Sequence, residues 1–93
     1  MTPAEAVSDA VAVEFGVDRE ILRAHGNRVG VAKQVAAEHM CVCSGASQRA
    51  VGGLLGYTGN GAVGQQRAKL RALLASDSAL AARVERLAAQ GAV

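Results

Sequence analysis

Ninety-three residues with 51% apolar content suffice for one small core and exclude two independent ones. Twenty of the apolar residues are Ala and only 22 are Val, Leu, Ile or Phe, with no Trp, so aromatic anchors cannot organise that core. The net charge of +2 hides an uneven distribution, and no apolar run reaches the roughly 18 residues of a membrane-spanning helix. An Ala- and Val-rich core with a single Pro predicts closely packed helices, because Ala favours helix and lets helix axes approach. The opening Thr2-Pro3-Ala4-Glu5 has neither the basic region nor the apolar stretch of a secretory signal. A cytoplasmic protein is the expectation.

The same four residues read as a helix start. Thr2 is placed to cap, Pro3 suits the first helical position, and Glu5 completes a capping box. Val7, Val11 and Phe15, spaced by four, form the apolar stripe of this first helix, which Gly16 ends. Asp18 caps a short second helix carrying Ile21 and Leu22, stopping near His25-Gly26-Asn27. A third helix is predicted from about residue 29 to 42, with Ala32, Val35 and Ala36 on its apolar face and His39, Met40 and Cys43 continuing the period.

Ser44-Gly45-Ala46 interrupts, and Ser47 caps a fourth helix carrying Ala50, Val51 and Leu54, closed by Gly56. After a Gly-rich turn, Asn60 caps a longer fifth helix with Val63, Gln66 or Arg67, Leu70, Leu73 and Leu74 on its stripe. Ser76-Asp77 breaks that helix and caps the sixth, where Leu80, Val84 and Leu87 keep helical spacing. No segment shows strand-like alternation. The expected fold is a single all-α domain, a small bundle of about six helices.

Charge adds a second layer. Residues 1–22 set Arg19 against Glu5, Asp9, Glu14, Asp18 and Glu20, whereas residues 23–71 hold seven Lys or Arg against Glu38 alone. A basic middle of this kind is either an anion-binding face or a set of solvated helix surfaces. Two helices over residues 47–55 and 60–75, joined by a tight Gly-containing turn, have the form of a helix-turn-helix. In that motif the second helix enters the DNA major groove and the first crosses the backbone. Asn60, Gln65, Gln66, Arg67 and Lys69 are the residue types that hydrogen-bond base edges and phosphates.

Several of these segments resemble a known domain. Val11-Ala12-Val13-Glu14-Phe15-Gly16-Val17 with Ile21-Leu22-Arg23, then Lys33-Gln34-Val35-Ala36, then Val51-Gly52 and Leu55-Gly56, follow one another in a familiar order. They resemble the C-terminal DNA-binding domain of the bacterial replication initiator DnaA, a Trp-repressor-like helix-turn-helix. Val63 and Lys69 fall where its recognition helix has an apolar and a basic residue. The resemblance implies binding of double-stranded DNA without the initiator's ATPase. Where that family carries Gly-Gly-Arg-Asp-His-Ser/Thr-Thr, this chain has Gly56-Tyr57-Thr58-Gly59-Asn60-Gly61-Ala62, so the initiator's target specificity does not carry over. Gly61-Ala62-Val63-Gly64 is closer to the Ser-Ala-Val-Ser of a related domain in REP-associated tyrosine transposases.

The expected DNA contacts are Arg28 and Lys33 on phosphates, Ser47, Gln48 and Arg49 on the first helix of the pair, Thr58 at the turn, and Asn60, Gly61, Gln65 and Lys69 on the second. Gln66 is expected to lean toward the core, and Arg67 is a candidate guanine ligand. The competing reading is a degenerate helix-turn-helix that docks another protein. Cys41 and Cys43 point roughly 200° apart on a helix and lack a second Cys pair, so they read as small hydrophobes, with no metal and no cofactor expected. Gly59-x-Gly61-x-x-Gly64 follows no strand and is no nucleotide fingerprint; close approach to DNA or to a neighbouring helix explains its glycines better. Carboxylates show no pairing pattern and no nucleophile has an evident His partner, so a non-enzymatic protein is expected.

Overall fold

A computed structural model describes residues 3–23, 30–57 and 61–89. Six helices follow in order: α1 (Ala4–Phe15), α2 (Arg19–Arg23), α3 (Val31–Cys43), α4 (Gln48–Leu55), α5 (Ala62–Ser76) and α6 (Ser78–Ala89), with no strand among the described residues. The all-α bundle expected from periodicity is the fold observed.

Local chemistry accounts for most of the boundaries. Asp18 Oδ1 accepts the Glu20 N–H at 2.8 Å, Ser47 Oγ accepts that of Ala50 at 3.1 Å, and Asp77 Oδ1 accepts that of Leu80 at 3.0 Å. Each bond satisfies a backbone donor that the first helical turn leaves without a partner. Gly16 and Gly56 end α1 and α4 in the left-handed conformation.

Two starts differ from expectation. The N-cap of α1 is Pro3 in an extended conformation with no side-chain cap, and Thr2 lies outside the described residues. The N-cap of α5 is Gly61 at φ +80°, again without a side-chain cap, rather than Asn60. Backbone freedom at Gly61 replaces the side-chain hydrogen bond that the sequence pattern led one to expect.

Helix α3 is central and packs against α1, α2, α4 and α5. Its buried face is Ala32, Val35, Ala36, Ala37 and Met40, and the three alanines let the neighbouring axes approach. Val7 and Val11 of α1, Leu22 of α2, Val51 and Leu55 of α4, and Val63 and Leu70 of α5 complete the core around it. Burying each such Leu or Val contributes about 1.5–3 kcal/mol, which makes this small aliphatic set the main source of stability.

Helix α6 is held by both apolar and polar contacts. Leu80 and Leu87 are buried. The Arg83 guanidinium lies 4.2 Å from the centre of the Phe15 ring and donates to the Glu14 carbonyl at 2.8 Å, while Arg86 reaches the Glu14 carboxylate at 3.2 Å. These contacts tie the last helix to the end of the first.

Candidate functional site

Helices α4 and α5 pack on each other, with a glycine on each side of the contact. A Cβ on Gly52 would meet Val63 Cγ2 at 3.6 Å, and one on Gly64 would meet Gln48 Oε1 at 3.3 Å. The close approach at Gly64 is therefore to a neighbouring helix. Val63 and Leu70 lock one side of α5 into the core, which leaves Gly61, Gln65, Ala68, Lys69 and Ala72 on the exposed side. Gly61, Gln65 and Lys69 are spaced by four and share one face, as the sequence led us to expect. Ser47, Gln48 and Arg49 at the start of α4 are also exposed. Arg28, Thr58 and Asn60 lie outside the described residues.

Two expected ligands sit elsewhere. Lys33, expected on a phosphate, is fully buried, and its Nζ lies 4.8 Å from the centre of the Tyr57 ring. Burial lowers the Lys33 pKa from its ordinary value and pushes the Tyr57 phenol up to about 12. Position 33 shares the buried face of α3 with Ala36, Ala37 and Met40, which is why its side chain folds inward rather than outward to solvent. Arg67, considered for guanine, instead donates to Glu38 Oε1 from Nε at 2.8 Å and from Nη2 at 2.7 Å. Arg71 Nε stands 3.4 Å from the other oxygen of the same carboxylate.

Gln66 leans inward as expected, and its Oε1 accepts from Gln34 Nε2 at 2.9 Å. A polar seam thus runs from α3 to α5: Gln34 to Gln66, then Glu38 to Arg67 and Arg71. Residue reading missed this seam, although one signal for it was present. Glu38 is the single carboxylate among the cations of residues 23–71, and so their natural internal partner. With Lys33 buried and Arg67 and Arg71 facing Glu38, the exposed cations with no ion-pair partner, among the side chains of this stretch that the structure describes, are Arg49 and Lys69.

The sulfur-bearing segment is quieter. Cys41 and Cys43 are free and half-buried, and Cys41 packs against the edge of the core rather than filling it. Cys43 Sγ lies 3.8 Å from Nδ1 of the buried His39. Burial lowers the His39 pKa and raises that of the Cys41 thiol. Among the described residues no group of three or more His, Cys, Asp or Glu is arranged to hold a metal ion. An open hollow of about 300 Å³ lies between α5 and α6, lined by Val31, Leu73, Asp77, Ala79, Leu80 and Arg83. It shares no residue with the exposed face of Gln65 and Lys69.

No described helix is long and apolar enough to cross a membrane. No family model matches the chain, and no curated protein or solved structure is significantly similar to it. The resemblance to the initiator's C-terminal domain therefore rests on the residues quoted for it.

Proposed function

We propose that this protein binds double-stranded DNA through α4 and α5, acting as a helix-turn-helix with α5 directed to the major groove. The observation that carries this reading is the outward face of α5. Gln65 and Lys69 project there among Gly61, Ala68 and Ala72, while Val63 and Leu70 hold the opposite side in the core. Small residues around two long polar ones allow close approach of the helix to base edges and backbone. Gln suits adenine, and Lys suits guanine or phosphate. Arg49 and the exposed start of α4 supply the backbone contacts that set orientation. Lys33 plays no part in this version, because its ammonium is turned into the protein.

A second reading has its own observation. Among the described side chains of residues 23–71, Arg49 and Lys69 alone are exposed without an ion-pair partner there, a thin electrostatic footprint for DNA that favours a protein-docking module on the same face. Fluorescence anisotropy with a mixed-sequence duplex at two salt concentrations separates the two. Binding that weakens with salt supports DNA recognition. Absence of binding at low salt, with the protein folded by circular dichroism, leaves the protein-docking reading.

A further inference from the structure

The seam between α3 and α5 places two guanidinium groups on one carboxylate. Glu38 Oε1 receives Arg67 at 2.7 and 2.8 Å, and Oε2 lies 3.4 Å from Arg71 Nε. The three side chains differ in exposure: Glu38 is 16% exposed, Arg67 18% and Arg71 65%. Arg67 is thus committed to the interior, whereas Arg71 is at the surface and held by a single longer contact.

Guanidinium groups recognise carboxylate and phosphate oxygens by the same fork of N–H donors. An internal carboxylate on such groups therefore competes directly with an external phosphate. Arg71 lies roughly 200° around the helix from Lys69, so the two cations stand on opposite edges of the outward face. A helix lying in the major groove has a phosphate strand on each of those edges.

We infer that Glu38 is a built-in competitor for phosphate that withholds Arg71 from the DNA backbone and so lowers sequence-independent affinity. This inference rests on the DNA-binding reading of α5. Its consequence is selectivity: with fewer phosphate contacts, the base contacts made by Gln65 account for a larger share of the binding energy. A carboxylate serving only to join α3 to α5 would affect stability and leave affinity alone.

The test is a set of anisotropy titrations with a mixed-sequence duplex over about 50 to 200 mM salt. It compares the wild-type protein, Glu38→Gln, Arg71→Ala and the double variant. Gln keeps an acceptor for Arg67, and circular dichroism verifies folding. The expected result for Glu38→Gln is several-fold tighter binding at low salt and a slope of log affinity on log salt steeper by about 0.9, one added phosphate contact. Adding Arg71→Ala returns the slope to the wild-type value, and Arg71→Ala alone leaves it unchanged.

If Glu38→Gln does not fold, Arg71→Ala decides: a flatter slope shows Arg71 already on phosphate and overturns the inference. Glu38→Gln binding with wild-type affinity and slope overturns the inference while the DNA reading stands. Absence of binding by every folded variant overturns both.

Discussion

The ammonium of Lys33 lies 4.8 Å from the centre of the Tyr57 ring, joining the first turn of α3 to the residue just beyond the Gly56 cap of α4. Both groups are shifted by burial, and in opposite senses for stability. The Lys33 pKa is lowered, so the folded state binds fewer protons than the unfolded chain below about 10.5, and this contribution rises with pH toward that value. The Tyr57 pKa is raised from 10.0 to about 12, so the folded state keeps a proton that the unfolded chain loses, and stability falls between those values. Tyr57→Phe should remove the alkaline fall. Chemical denaturation in steps from pH 9 to about 12 measures it, and an unchanged fall would assign the loss to other groups.

His39 gives a similar signature nearer neutrality. Burial lowers its pKa below the ordinary 6.5, with the charge of Glu38 opposing the shift. Its neutral form is the one that the core accepts, so its contribution is fully present above 6.5 and is lost as pH falls through the lower folded value. His39→Gln should flatten the stability profile in that acid window. Thermal unfolding from pH 7 down to about 5 is the measurement, and an equally steep profile in the variant would contradict the assignment.

Two glycines three apart, at the start of α5, should respond oppositely to alanine. Gly61 sits at φ +80°, so Gly61→Ala is strained whatever the space around it and should cost about 1 kcal/mol or more. Gly64 is helical and meets only the mobile end of Gln48 at 3.3 Å. Gly64→Ala should gain up to about 1 kcal/mol of helix propensity, reduced by the small displacement of that side chain. Urea denaturation of the two variants checks the signs, and a destabilised Gly64→Ala would mean that Gln48 cannot give way.

The tie between α6 and α1 predicts a loss of stability without a change in the outward face of α5. Arg83 combines the Phe15 ring contact with a bond to the Glu14 carbonyl, and it is only partly exposed. Arg83→Ala should cost about 1 kcal/mol, the sum of a partly screened ring contact and one charged hydrogen bond. Arg83→Lys should recover part of it. Equal stability of Arg83→Ala and wild type would show that Leu80 and Leu87 alone hold the helix.

If α5 binds DNA as proposed, exposure together with the absence of an ion-pair partner among the described residues ranks the basic side chains. Arg49→Ala and Lys69→Ala should each flatten the salt dependence by about 0.9, whereas Lys33→Met should leave it at the wild-type slope. Gln65→Ala should reduce discrimination between duplexes by about 1–3 kcal/mol at one position and leave the salt slope alone. A selection from random duplexes, repeated with the variant, reads this out. Recovery of the same site with equal stringency would place the reading face elsewhere on α5.

Sequence alone determined the helical class, the number of helices and most of their ends. Those features depend on interactions a few residues apart. Ser47 reaches Ala50, Asp77 reaches Leu80, and a stripe such as Val7 and Val11 declares its buried face by period. It also placed Gly61, Gln65 and Lys69 on one exposed face and turned Gln66 inward, because helix geometry sets those angles once the core stripe is known. Tertiary structure alone decided what the cations do. Arg67 meets Glu38 across 29 positions, Arg83 meets Glu14 across 69, and Lys33 points into the protein because its helix position faces the interior. Charge counts along a chain treat every Lys and Arg as equally available. Packing makes them unequal, since a cation held by an internal carboxylate or buried against a ring must give up that partner before it can bind another.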